Sequence, residues 1–321
     1  MISALLVGVA RASRNWKMIL LLLVTSIIVA TPAAVPIFLV IVQTSRKTLA
    51  APALLADKLD AVWLIDLVNE QFAGTSFVSV ALQVAVLLLV VAVVYLLVNV
   101  LFAGGIIEVF AAEDSRFSIR RFFSGVGAHF WRFVRLWLVS LIAYGIAFAA
   151  YAIALLRIDA ADKLATTEAP GAIRKWVATI VLLLLLAIIN MTFDYARIGA
   201  VLNERRKMFR ETFRAARFAF RHFARAFGLY LIIAMIGMVV FWLVARLRNL
   251  VPQTSLFAVM VAFILGQLAI ASRMWTRLAF YAGEVDLYQR LVPPVAPVPP
   301  PSQPVPEFAA AIEVPPVVPE T

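Results

Sequence analysis

Arg197 follows Asp194 by three residues, and Arg277 follows Arg273 by four. On an α-helix each pair shares a face. Guanidinium groups that a carboxylate holds in place can bind phosphate through paired N–H donors. The chemistry these residues offer is therefore capture of a lipid headgroup: Arg197, Arg273 and Arg277 converging on a phosphate, with Asp194 or Glu108 orienting them. A plainer reading stands beside it, in which the arginines snorkel along apolar surface to the interface and pair with nearby carboxylates to fix helix ends. No comparable constellation points to catalysis. The chain has no HExxH, GxSxG, Walker A or dinucleotide-binding fingerprint. It has no cysteine to supply a thiolate, and two histidines, His129 and His222, are too few for a multi-histidine metal centre. The sequence reads as a non-enzyme that needs no cofactor.

The elements that position these residues follow from composition. Of 321 residues, 64% are hydrophobic and 15% charged, with a mean hydropathy of +0.96. Soluble domains average about 45–50% apolar and ~25% charged, so a water-soluble enzyme is excluded. Six charge-free runs, residues 18–45, 71–107, 136–156, 176–193, 226–245 and 249–272, meet or approach the ~20 residues that cross ~30 Å of hydrocarbon. The first outlasts a secretory signal core of ~7–15 residues and reads as a retained span, kinked or broken at Pro32 and Pro36. The second, continued to Ala112, would be ~60 Å as one helix, so it must tilt, bend or project. The fold class is all-α: a polytopic membrane protein with six transmembrane helices plus amphipathic interfacial helices. No Asp, Glu, Lys, Arg or His falls near a span centre, which argues against a carboxylate proton relay. Thr25, Ser26, Gln83, Tyr95, Tyr144 and Gln267 are the neutral mid-span polar residues and are read as pairing between helices.

The net charge of +11 comes from basic residues set between apolar runs, so anionic membrane lipid, not nucleic acid, is the expected partner. Twenty of the 29 lysines and arginines fall at the N-terminus, in the loops 108–135 and 194–225, and after the last span. The positive-inside rule then places both termini in the cytoplasm of a bacterial inner membrane. Between residues 208 and 227, Phe209, Phe213, Phe220, Phe223 and Phe227 follow helical spacing beside a stripe of Arg210, Arg214, Arg217, Arg221 and Arg225, the pattern of a helix lying in the headgroup plane. The segment 119–135 repeats it with Ile119, Phe122, Phe123, Val126, Phe130 and Phe133. Within it, Ser124 to Gly127 reads as a bend. Setting His129 on His222 also aligns Arg121 with Arg214, Phe130 with Phe223, Arg132 with Arg225 and Leu136 with Leu229. With residues 6–17 as a degenerate first copy, this suggests three units, each an interfacial helix plus a two-span hairpin.

The six-span domain occupies residues 1–290. Residues 291–321 form a proline-rich tail expected to be disordered, since 11 of the 16 prolines lie beyond residue 292. It reads either as a docking strand for a cytoplasmic protein or as a solvated tail. Residues 51–74 read as a short external interfacial helix.

Three stretches carry a family resemblance: Gly8-Val9-Ala10-Arg11-Ala12; Ala103-Gly104-Gly105-Ile106 with Arg116-Phe117-Ser118-Ile119-Arg120; and Asp194-Tyr195-Ala196-Arg197-Ile198 before the arginine-rich helix. Over roughly residues 1–290 the chain resembles a group of uncharacterised six-span bacterial membrane proteins. That group is similar to the membrane domain associated with glycerophosphodiester phosphodiesterases. The phosphodiesterase barrel is absent here, so the resemblance implies membrane architecture and a lipid-related role, and no catalytic residue. The function expected is to bind, organise or help move envelope lipid or another amphiphile. The alternatives are a small-solute transporter or channel, whose polar cavity would use Gln83, Asn99, Asn190 or Gln267, and a membrane scaffold subunit.

Overall fold

In hydrocarbon a backbone must satisfy its own hydrogen bonds, which apolar runs of this length achieve as helices. The computed structural model describes residues 1–45, 77–162, 169–203, 208–252 and 255–292. The described residues form eight helices: α1 (Ile2–Arg14), α2 (Trp16–Ser45), α3 (Phe77–Ala111), α4 (Ile119–Asp162), α5 (Ala169–Leu202), α6 (Met208–Arg221), α7 (Phe223–Asn249) and α8 (Leu256–Leu291). Six of them, α2, α3, α4, α5, α7 and α8, are long and apolar enough to span a membrane. Their outer faces carry large apolar side chains such as Leu89, Ile146, Trp176 and Met238, each 63–70% exposed. A surface of that kind is stable only against lipid. The external segment and the proline-rich tail lie outside the described residues.

Several local expectations are corrected. α2 runs unbroken through Pro32 and Pro36, as spans can when neighbouring hydroxyls and helices take up freed backbone groups. The hydroxyls of Thr25, Ser26 and Thr31 donate to carbonyls four residues earlier in α2 itself, at 2.8 Å each, so among the described residues Thr25 and Ser26 bond within their own helix. The segment 119–135 is not a separate interfacial helix. It is continuous with the third span in a 44-residue helix, ~66 Å long at 1.5 Å per residue. Ser124 to Gly127 is helical and lies inside that helix. The glycine there serves packing: a Cβ on Gly125 would stand 2.6 Å from the Glu108 Cβ, so its absence lets α4 close on α3. The helix expected over 208–227 is instead divided at His222 into α6 and α7.

Buried positions recur at a fixed spacing in the first span of each hairpin. Leu22, Leu136 and Leu229 are all buried. Seven residues before them stand Asn15, His129 and His222; fourteen before stand Gly8, Phe122 and Ala215, also buried. Asn15 and His222 interrupt the helix at this place, whereas His129 does not. Tertiary packing follows the same plan. The second span of each hairpin packs on the first helix of the next unit: α3 on α4, α5 on α6, and α8 back on α1. The three second spans α3, α5 and α8 also touch one another. The α8–α1 contact depends on Gly8, whose Cβ, were there one, would lie 2.9 Å from the Ala279 carbonyl oxygen.

Asn15 ties the first joint to the second unit. Its amide nitrogen donates to the Arg11 and Ser115 carbonyls at 2.8 and 3.0 Å, and its oxygen accepts from the Phe117 amide at 2.9 Å. Beside this joint, the Arg121 guanidinium 2.7 Å away holds the exposed Asp114 carboxyl below its ordinary range.

Candidate functional site

A helix apolar on one side buries one stripe, but one that packs on all sides buries every residue. Tyr281 through Tyr288 of α8 are buried without interruption, as are the α5 residues 191–201 apart from Arg197, which is half-buried. These stretches form the centre of the bundle, and they carry the charges that the sequence places at or beyond span ends. Asp194, Glu284 and Asp286 are 6%, 1% and 7% exposed.

Between α3, α4, α5, α7 and α8 lies a cavity of about 680 Å³, within the 300–1,000 Å³ typical of ligand pockets. Asn99, Asn190, Asp194, Arg197, Arg273 and Arg277 give it a polar wall; Leu96, Val100, Trp137, Met238 and Phe241 give it an apolar one. Arg197 donates to Asp194 Oδ1 at 2.7 Å and to the Tyr281 hydroxyl at 3.2 Å. That hydroxyl in turn donates to Asp194 at 3.4 Å. Asn190 donates to Asp194 Oδ2 at 3.4 Å and to Tyr230 Oη at 2.9 Å, and accepts from the Tyr144 hydroxyl at 3.3 Å. Arg277 is held by both the side chain and the backbone carbonyl of Asn99, the latter at 2.6 Å. Its guanidinium also lies 5.9 Å from the Tyr281 ring centroid, a cation–π distance.

Of the five residues singled out for headgroup capture, four line this cavity. Asp194 does orient Arg197. Arg277 is oriented by Asn99 instead of a carboxylate, and Arg273 has no hydrogen bond or ion pair among the described residues. Arg197 Nε is buried and unpartnered. Glu108 is elsewhere: it lines a separate cavity of about 420 Å³ with His129, whose Nε2 is 3.3 Å from its carboxylate. Glu108 lies on the face of α3 that packs against Gly125 and His129 of α4, not on the face of Asn99 that meets Arg277. Tyr230 and Tyr281 were not singled out, although a tyrosine inside an apolar run signals a buried hydroxyl that needs a partner. The candidate transport residues do not share one chamber. Asn99 and Asn190 line the first cavity, Gln267 lines another between α2, α3 and α8, and Gln83 is exposed.

On α6 the side packed against the bundle is Glu211, Ala215, Phe218 and Ala219, with the Phe218 ring 5.1 and 5.0 Å from those of Tyr195 and Tyr288. Phe213 and Phe220 are 80% and 63% exposed, and Arg210, Arg214, Arg217 and Arg221 are exposed as well, as is Arg225 at the start of α7. Glu211 sits 3.5 Å from Arg214.

Fold and cavity together define a multi-pass α-helical membrane protein with an arginine-lined pocket between its long apolar helices. No family model, no curated protein and no solved structure matches the chain.

Proposed function

We propose that the protein binds an anionic amphiphile, its phosphate held by Arg197, Arg273 and Arg277, and thereby organises or helps move lipid without catalysing a reaction. The observation that carries this reading is the charge balance of the 680 Å³ cavity: three guanidinium groups face one carboxylate. Inside a span such an excess is costly unless a functional partner offsets it. Two of the three are already oriented, Arg197 by Asp194 and Arg277 by Asn99, so little entropy is lost when an anion docks. The exposed Phe213 and Phe220 beside arginines on α6 support a second contact, with the helix lying in the headgroup layer. The earlier resemblance to the membrane domain associated with glycerophosphodiester phosphodiesterases points in the same direction.

A ligand that binds only the folded state stabilises it, by about 2.7 kcal/mol at a hundred times its Kd. Phosphatidylglycerol added to the detergent-solubilised protein should therefore raise its unfolding temperature more than zwitterionic phosphatidylcholine does. That difference should vanish in Arg273→Ala/Arg277→Ala. Equal stabilisation by both lipids, in both proteins, would remove the headgroup reading.

The distribution of basic residues supports a bacterial inner membrane location with both termini cytoplasmic. Since the chain has no cysteine, single cysteines at Ser302 and Thr167 test this with an impermeant maleimide on intact cells. Thr167→Cys should label and Ser302→Cys should not; the reverse pattern inverts the orientation.

A further inference from the structure

A second cavity of about 560 Å³ lies between α2, α3 and α8. Its walls are mostly apolar, with Ile27, Ala30 and Ala34 from α2, Leu88 and Ala92 from α3, and Ile270 from α8. Arg273 lines both this cavity and the arginine-rich one. One turn further along α8, at Met274 and Arg277, the space between the helices shrinks to about 10 Å³, at or below what a water needs. Arg273, which is exposed, therefore borders both chambers, and Arg277 with Asn99 belongs to the packing between them. Besides Arg273, the second chamber has a buried polar atom without an internal partner: Gln267 Oε1 accepts no hydrogen bond among the described residues. An unmet buried acceptor of this kind costs free energy unless something donates to it.

We infer that the ligand of the arginine cavity is an anionic glycerolipid that threads past Arg273, with its phosphate on the guanidinium groups, a hydroxyl donating to Gln267, and an acyl chain between α2, α3 and α8. The inference rests on the headgroup reading above. It adds that the amphiphile is held by two chambers, only one of which has an arginine-rich wall, and that Arg273 borders both. The apolar walls fit the chain, the excess positive charge fits the phosphate, and the shared residue fixes their order along the molecule.

The test is calorimetric titration in neutral maltoside micelles with two probes, 1-lauroyl-glycerol 3-phosphate and glycerol 3-phosphate. Ala30→Trp and Ala92→Trp, on facing walls of the second chamber, displace the chain, and each should weaken binding of the lauroyl probe about tenfold or more. Neither should change binding of glycerol 3-phosphate, which also shows that the variants are folded. Arg273→Ala, which removes a charge-assisted contact, should weaken both probes about tenfold. Wild-type affinity for the lauroyl probe in both tryptophan variants would overturn the chain placement while leaving the headgroup reading intact. Equal affinity for uncharged monolauroyl-glycerol would overturn it too, by making the chamber a general lipid groove. Unchanged binding of both phosphate probes in Arg273→Ala would remove the headgroup reading and this inference with it.

Discussion

Replacing Asp194 by alanine is expected to cost about 3–5 kcal/mol of stability, the usual penalty for stripping one partner from a buried ion pair. The carboxylate is 2.7 Å from Arg197, and the two side chains are 9% and 14% exposed, so water does little to screen the charge left behind. The loss extends beyond one contact, because Tyr281 and Asn190 also donate to Asp194. Unfolding in detergent, followed by circular dichroism, measures it. Arg197→Met added to Asp194→Ala should recover much of the deficit, since removing both charges is far less harmful than isolating one. A cost below about 1 kcal/mol would mean that the pair behaves as an exposed one, and the network would then not be what holds the arginine wall in place.

Glu284 should respond with the opposite sign. It is 1% exposed, and neither carboxylate oxygen has a hydrogen-bond partner among the described residues. Burying an unpaired polar group costs about 1–3 kcal/mol by mutational measures. Glu284→Leu is therefore expected to raise stability by that order, whereas Glu284→Gln, which keeps an amide in the same place, should gain little. Glu284 lines neither the arginine cavity nor the apolar one, so the leucine variant should unfold at higher temperature and bind lipid as the wild type does. Destabilisation by Glu284→Leu would show that the carboxyl has a partner and would withdraw the claim that it is unsatisfied.

These two carboxylates also show how far the sequence could be read. Charge-free runs gave the number and type of the spans, because backbone satisfaction in lipid allows few alternatives. The pairing of Asp194 with Arg197, and the shared face of Arg273 and Arg277, were legible because helical spacing alone dictates them. What spacing could not supply was depth. The helices α5 and α8 continue well past their charge-free runs, since a carboxylate that meets a guanidinium or a tyrosine hydroxyl can stay inside. For the same reason Asp194, which the sequence places at a span end, lies in the bundle centre; Glu284, which the sequence places beyond the last span, is buried there too but without such a partner. Glu108 matched the arginines by type, yet its place opposite His129 depends on glycines that let α3 and α4 close together, a tertiary contact with no local signature. The phenylalanine stripe of α6 was legible as a pattern. That Ala215 and Ala219 face the bundle together with Phe218, while Phe213 and Phe220 do not, goes with the close approach of α5, where a Cβ on Gly199 would meet the Glu211 carboxylate at 2.6 Å.

The most direct measurement is native mass spectrometry of the protein released from its own membrane, wild type beside Arg273→Ala/Arg277→Ala. Asp194 and Arg197 are left in place so that the bundle centre stays paired. The account predicts a retained anionic lipid on the wild type that is lost from the variant at equal detergent. A wild type that carries no headgroup-selective lipid, or a variant that keeps the same one, would contradict it.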